Sequence, residues 1–456
     1  MPQTVARDAP CDGVEVKMRS QEIVEQCKRH TIFSWSAQGS VNPIAVDHAE
    51  GIYFWDPEGK RYIDFNSQLM CVNLGHNHPK IVAAIKAQAE KLCFVYPGMV
   101  TEPRAKLGKL LAEMVPGDIN KFFFTNGGAE ANESAIKVAR LYTGRHKILS
   151  RYRSYHGATH GVMQLTGDPR RWPTEPGAPG FIHVMDPVPY RYSFGKTEQE
   201  QTRNNLEYLS EVIDYEGPSS IAAMFIESVV GTNGILAPPK GYLEGLLDLL
   251  HRHGILLVCD EVMAGFGRTG KMFGFEHGNI VPDMVTMAKG LTGAHLPLGA
   301  LGLSDKIAEH FKNNVFWTGL TYSAHPMGLA CAVAALEVLR DEKLVENAAR
   351  MEHVMRKHMT MLKEKHPSVR GFRATGLFGL LDLRKNSKDE PLSGYNTTHE
   401  AVVKLHRTLL DKGLFTFTHW NTIMCNPPLC ITEQQLGEAF AIFDDSLSVT
   451  DAYFEG

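Results

Sequence analysis

The sequence predicts an α/β fold: a large domain with a mostly parallel, mixed sheet flanked by helices, and a smaller α+β domain. Three observations carry that reading. The 456 residues exceed what one hydrophobic core normally organises, so two domains are expected. From about Asn73 onward, short apolar runs alternate with stretches of helical spacing, the pattern of crossover units in a parallel sheet. One apolar run, ILLVCDEV at 255–262, ends in two carboxylates, and the carboxyl edge of such a sheet is where ligands bind.

In chain order, residues 1–20 read as a polar, mobile lead, and Ser20 to His30 as a short helix. HTIFSWSAQGS follows, with Phe33 and Trp35 as strand packing or the lip of a pocket. Residues 51–65 form a hairpin turning at Asp56-Pro57-Glu58-Gly59, and FNSQLMCVNLGHNHP a loop near a site. Helices are expected at 79–92 and 101–115, then strands at Phe122–Phe124 and HKILSRY. The Pro-, Gly- and Arg-rich stretch 167–200 is an irregular excursion over the site's mouth. A helix follows it, then the buried strand IAAMFIES and a helix closed by Gly254. A polar helix at 343–365 leads to the strand TGLFGLLDL, the helix THEAVVKLHRTLLDKG and a closing helix from Thr432. The divisions expected are 1–72, contributing to the small domain, 73–342, the large domain, and 343–456.

Composition narrows the function. Forty-three per cent hydrophobic and 21% charged residues are ordinary for a soluble globular chain. Lys+Arg 47 against Asp+Glu 51 gives no sign of a nucleic-acid or anionic-membrane partner. No run approaches the ~20 apolar residues of a membrane span, and the N-terminus lacks a signal-peptide pattern. The eight cysteines are scattered without a C-x-x-C pair and read as reduced. A cytoplasmic protein without a metal site is expected.

Three segments carry chemistry. DMVTMAKG at 283–290 reads as a buried strand ending in Lys289. Taken alone, Lys289 is a lysine reaching to solvent; held in a desolvated place, its neutral amine condenses with an aldehyde. Asp260, in ILLVCDEV, is by itself as much a helix cap or salt-bridge partner as a holder of a protonated pyridine nitrogen, with Val262 against the ring. In KFFFTNGGAEANES, Asn126-Gly127-Gly128 opens a helix whose backbone N–H groups and dipole suit an anion; the spacing matches neither a dinucleotide nor a Walker fingerprint. Phosphate cradle, ring-nitrogen acid and lysine together describe a pyridoxal phosphate site.

At these residues the sequence resembles the class III aminotransferases, the fold-type I group with the ω-amino-acid transaminases. GIYFWDPEGKRYIDF, FFFTNGGAEANESAIKVAR, SYHGAT, ILLVCDEV, GFGRTG, DMVTMAKG and TYSAHP occur in the family's order. The resemblance implies pyridoxal 5'-phosphate as cofactor and Lys289 and Asp260 as catalytic residues. It further implies Gly128 and Ala129 at the phosphate, Tyr155 stacked on the ring, His156 in support and Glu227 near the phenolic oxygen. Thr321, otherwise a helix N-cap, would reach the cofactor of a neighbouring subunit, so a homodimer with shared sites, or a tetramer, is implied. Phe33, Trp35 and Met70 would line the substrate pocket, although Met70 fits an ordinary core as well.

Two departures matter. Ser228 stands where relatives usually have proline after Glu227. Phe417 stands where many carry an arginine that grips a substrate carboxylate. Arg153, Arg171 or His419 would have to replace that arginine, or the substrates differ; the Trp420 indole N–H offers a further donor. Among relatives the chain looks most like taurine transaminases. The expected reaction is ping-pong transfer of an amino group from an ω-amino acid or amine to pyruvate or 2-oxoglutarate. The alternative is an aminomutase or racemase of the same fold, which needs no second substrate.

Overall fold

The computed structural model describes residues 18–188 and 192–456. Most of the polar N-terminal lead, and three residues of the 167–200 excursion, lie outside them. A seven-stranded sheet forms the centre, in the spatial order Ile119–Thr125, Gly299–Ser304, Met284–Met287, Leu256–Asp260, Ile221–Glu227, Lys147–Arg151 and Phe181–Val184. Only Gly299–Ser304 runs against its neighbours; the remaining pairings are parallel. Central strands buried on both faces need continuous apolar runs, and Ile221–Glu227 and Leu256–Asp260 are buried throughout.

Register does the positioning. Glu227 pairs with Asp260, and Asp260 with Thr286, so three polar residues at or next to the ends of neighbouring strands lie in one row at the carboxyl edge. Gly127 caps the helix Gly128–Thr143, which starts at that edge as the glycine pair led one to expect.

Two smaller sheets complete the fold. Val369–Thr375, Phe378–Leu383, Thr422–Cys425 and Thr418–His419 are antiparallel neighbours. The hairpin Tyr53–Trp55 and Arg61–Asp64 adds Leu414–Phe415 as a parallel strand, which joins distant parts of the chain. The helices Ser20–His30, Pro79–Lys91, Glu102–Met114, Leu344–Lys365 and Glu400–Asp411 match the expected ones within about two residues. The last long helix, Glu433–Ser446, starts at Thr432, which caps it with Gln435 in a reciprocal box.

Two strands escape a sequence reading. Phe181–Val184 sits inside the excursion read as irregular; four residues suffice because it only lengthens the sheet's edge. Val369–Thr375 carries two arginines and Gly371 on a half-exposed strand, so its apolar pattern is thin. Among the described residues, no helix is long and apolar enough to cross a membrane.

Candidate active site

Lys289 stands where two cavities meet. The first, of about 470 Å³, runs from Gly127, Gly128 and Ala129 to Asp260 and His156. The second, of about 710 Å³, holds Trp35, Met70, Arg170, Phe417, His419 and Trp420. Tyr155, Met263 and Lys289 line both.

The lysine's placement is built into the backbone. Its strand ends at Met287, and Lys289 opens a short turn with φ of +46°, a region that residues with a Cβ seldom occupy. Gly290 locks the turn: a Cβ there would come within 2.6 Å of Asn73 Nδ2 and 2.9 Å of Phe266 Cβ. Burial pushes the Lys289 pKa down, against the opposing pull of Cys71, Asp260 and Glu227. A lowered pKa favours the neutral, nucleophilic amine. Trp35, Met70, Asn396 and Trp420 share the left-handed backbone, so five residues facing the second cavity hold conformations that only surrounding structure maintains.

Asp260 is fixed from three sides. Its Oδ2 accepts a 2.8 Å hydrogen bond from Asn132 Nδ2 and lies 2.7 Å from His156 Nδ1, while Oδ1 accepts from the Val262 N–H at 3.0 Å. Asn132 also donates to the His156 carbonyl and accepts from Thr286 Oγ1, each at 2.8 Å. The sequence reading missed Asn132. Its signal was a polar residue on the helix face that meets the sheet, where it is fully buried. His156 Nε2 is buried and has no hydrogen-bond partner among the described residues.

Glu227 Oε1 accepts from the Tyr155 N–H at 2.9 Å and Oε2 from the Gly231 N–H at 2.7 Å; burial raises its pKa to about 6. Of the acidic pair, only Asp260 faces the cavity. Glu261 accepts from the Gly274 and Phe275 N–H groups at 2.7 and 3.0 Å, with its pKa pushed to about 7 by burial. Alternate residues of a strand face opposite sides, and Glu261 ties down the glycine-rich loop instead.

At the cavity's other end, the helix from Gly128 has no side-chain cap, which leaves first-turn N–H groups for a ligand. A Cβ on Gly128 would meet Val262 Cγ2 at 2.8 Å, so glycine is what keeps this end open.

In the second cavity the Arg170 guanidinium lies 3.6 Å from the Tyr155 ring centroid, and the Trp35 ring meets Tyr155 edge-on at 6.1 Å. Arg170 Nε donates to both Asp168 oxygens at 3.1 and 3.0 Å, and Nη2 donates to Thr232 Oγ1 at 3.2 Å. Arg170 was not among the residues singled out from sequence; nothing in GDPRRWP tells it from its neighbour.

Several expectations change. Phe33 lies outside the second cavity's lining, where Gln38 binds both its N–H and its carbonyl. Thr321 is exposed, away from both cavities of its own chain, and the N-cap position of the following helix is His325, without a side-chain cap, rather than Thr321. Arg171 pairs with Glu175 outside the cavity. Arg153 lines a separate cavity. His419 does face the second cavity, yet burial, with Arg170 and Arg153 nearby, lowers its pKa to about 4, so it is neutral at physiological pH and brings no positive charge.

Comparison with known proteins agrees with this geometry. The family model described as aminotransferase class-III matches residues 35–447. An uncharacterized aminotransferase, YhxA, of Bacillus subtilis is 32% identical over 93% of this chain and 96% of its own. Gamma-aminobutyrate transaminase 1 of Oryza sativa subsp. japonica is 32% identical over 90% and 82%. Among solved structures, taurine:2-oxoglutarate aminotransferase from Bifidobacterium kashiwanohense, in complex with PLP and glutamate, superposes with a TM-score of 0.93. It is 42% identical, covering 96% of this chain and all of that one.

Proposed function

This chain belongs to the class III aminotransferases, and we propose that within that family it moves the amino group of an ω-amino acid, taurine or a close relative, to 2-oxoglutarate or pyruvate. It has the fold of the type I pyridoxal-phosphate transferases, and its cofactor is pyridoxal 5'-phosphate. The residues present fit that group: an uncapped helix start kept open by glycine at one end, a fixed carboxylate at the other, and an amine of lowered pKa between them. When bound, the cofactor supplies an electron sink for charge left at the substrate carbon.

The chain's own residues divide the remaining work. Gly128 and Ala129 bind the phosphate, together with Thr321 of the partner subunit in a homodimer. Exposed Tyr96, Trp317 and Tyr322 support a partner covering this side. Asp260, oriented by His156 and Asn132, holds the proton on the ring nitrogen. Val262 and Tyr155 pack against the ring, and Glu227 stands near its oxygen. Lys289 would hold the cofactor at its aldehyde carbon and, as a free amine, would move the proton at the donor's amine-bearing carbon. The observation that carries the reading is Lys289 at the junction of an anion-binding cavity and a substrate cavity.

Phe417 cannot pair with an acidic group, so Arg170 takes that part, pre-set by Asp168, Thr232 and Tyr155. Nη1 makes no hydrogen bond within the described residues and offers its N–H groups to a sulfonate or carboxylate. Similarity to the taurine:2-oxoglutarate enzyme supports the choice of donor.

A spectral titration of the holoenzyme with single donors, without keto acid, tests the reading. Taurine is expected to bleach the cofactor's visible band, and 2-oxoglutarate or pyruvate to restore it. Bleaching by alanine or an arylalkylamine, with none by taurine or another ω-amino acid, would overturn the substrate class.

A further inference from the structure

A third cavity, of about 310 Å³, lies beyond the substrate cavity and shares His419 and Trp420 with it. It opens between the strand Val369–Thr375 and the 231–236 loop, and basic side chains predominate among the described residues that line it. Among the described residues, Arg153, Arg370 and Arg373 line it with one carboxylate, Asp382. Arg373 Nη2 is 3.8 Å from Asp382 Oδ2, beyond direct hydrogen-bond range. Asp186, behind Arg153, is shared with Arg151 at 3.9 Å.

The arginines are also close together. A Cβ built on Gly234 would lie 2.5 Å from Arg153 Nη2 and 3.7 Å from Arg373 Nη2. The two nitrogens are therefore within about 6 Å of each other, where like charges shielded from water repel strongly. Both guanidiniums hold the loop: Arg373 Nε donates to the Gly234 carbonyl at 2.7 Å, and Arg153 Nη2 donates to the Asn233 carbonyl.

We infer that this cavity is a binding site for a small dianion bearing oxyanion groups, such as sulfate or a short dicarboxylate. A dianion between Arg153 and Arg373 offsets their repulsion and accepts charge-assisted hydrogen bonds from both. Its occupancy bears on the substrate cavity through the same loop. Thr232 accepts from Arg170, and Asn233 Nδ2 donates to Asp168 Oδ2 at 3.1 Å. An anion that draws the guanidiniums from the Asn233 and Gly234 carbonyls moves the residues that set Arg170. This consequence rests on the aminotransferase reading above; the binding itself does not.

Calorimetric titration of the holoenzyme with sulfate and, separately, with glutarate, at ionic strength held constant with chloride, tests the site. One site per chain is expected, weakened roughly tenfold or more by Arg373→Gln, as loss of a charged hydrogen bond implies, and largely retained in Arg170→Gln. Binding of sulfate alone would identify an inorganic ion as the occupant, and binding of glutarate alone a dicarboxylate. No binding above chloride, equal affinity in Arg373→Gln, or loss only in Arg170→Gln would overturn the proposal. If Arg373→Gln does not fold, Arg370→Gln on the exposed rim gives the same comparison. In the taurine half-reaction, sulfate is expected to shift the apparent KM and leave the limiting rate unchanged. Failure of the aminotransferase reading would appear as no half-reaction with any amine, with sulfate binding still measurable.

Discussion

Nδ1 of His156 lies 2.7 Å from Oδ2 of Asp260, and the imidazole's other nitrogen is buried without a partner among the described residues. A carboxylate held by an imidazole, an amide and a backbone N–H has one orientation, and it is fixed before any ligand arrives. Asp260→Asn is therefore expected to retain cofactor while slowing the half-reaction by roughly 10²–10³-fold, the scale for loss of a pre-set electrostatic partner. Stopped-flow spectroscopy reads this. An unchanged rate would remove Asp260 from the ring-nitrogen role.

Gly128 and Val262 form a second testable pair. Gly128→Ala is expected to crowd Val262, whose Cγ atoms lie 2.8 and 3.0 Å from the added carbon's position, at about 1–3 kcal/mol. Weaker retention of pyridoxal phosphate should follow. Val262→Ala on the same chain should restore much of that retention, as equilibrium dialysis of the cofactor would report. Absence of rescue would mean that the cradle is limited elsewhere.

Arg170 separates anionic from neutral donors. Arg170→Gln is expected to raise the KM for taurine about tenfold or more, the loss of a hydrogen bond to a charged group, and to leave kcat/KM for an arylalkylamine within about twofold. Equal losses for both donors would show that Arg170 only supports Tyr155.

Stability should depend on pH through two buried carboxyls. Burial lifts Glu227 to about 6 and Glu261 to about 7, so the fold favours their protonated forms. That contribution is complete below the ordinary carboxyl range, near pH 4.5, and is lost as pH rises through 6 to 7. The melting temperature of the cofactor-free protein is expected to fall between pH 5 and pH 8, and Glu261→Gln should flatten the decline. A melting temperature that rises over this range would contradict the burial argument.

Where a site would lie was partly legible in one dimension. Lys289, Asp260 and Gly128 each close an apolar run with a charge or a glycine; alone each admits an ordinary structural reading, but desolvated charge is costly, and the three together mark one edge, where the structure places them around one cavity. Alternating apolar runs and amphipathic helices likewise reveal the parallel sheet, since each element's periodicity records which face it buries.

What the sequence could not show was which residues from distant segments would share a cavity. Arg170 and Arg171 are adjacent and chemically identical, yet one lies over Tyr155 and the other pairs with Glu175 outside. Glu261 is as acidic as Asp260 and turns to the opposite side of the strand. Asn132 reaches Asp260 and Thr286 from the helix packed on the sheet, and Phe33, whose backbone Gln38 binds, lies outside the second cavity's lining. The sequence by itself determined the residue types and their order along each strand and helix, because local periodicity and burial cost act over a few neighbours. Only the tertiary structure decided which side chains meet, because that depends on register and backbone conformation set by how the segments pack together.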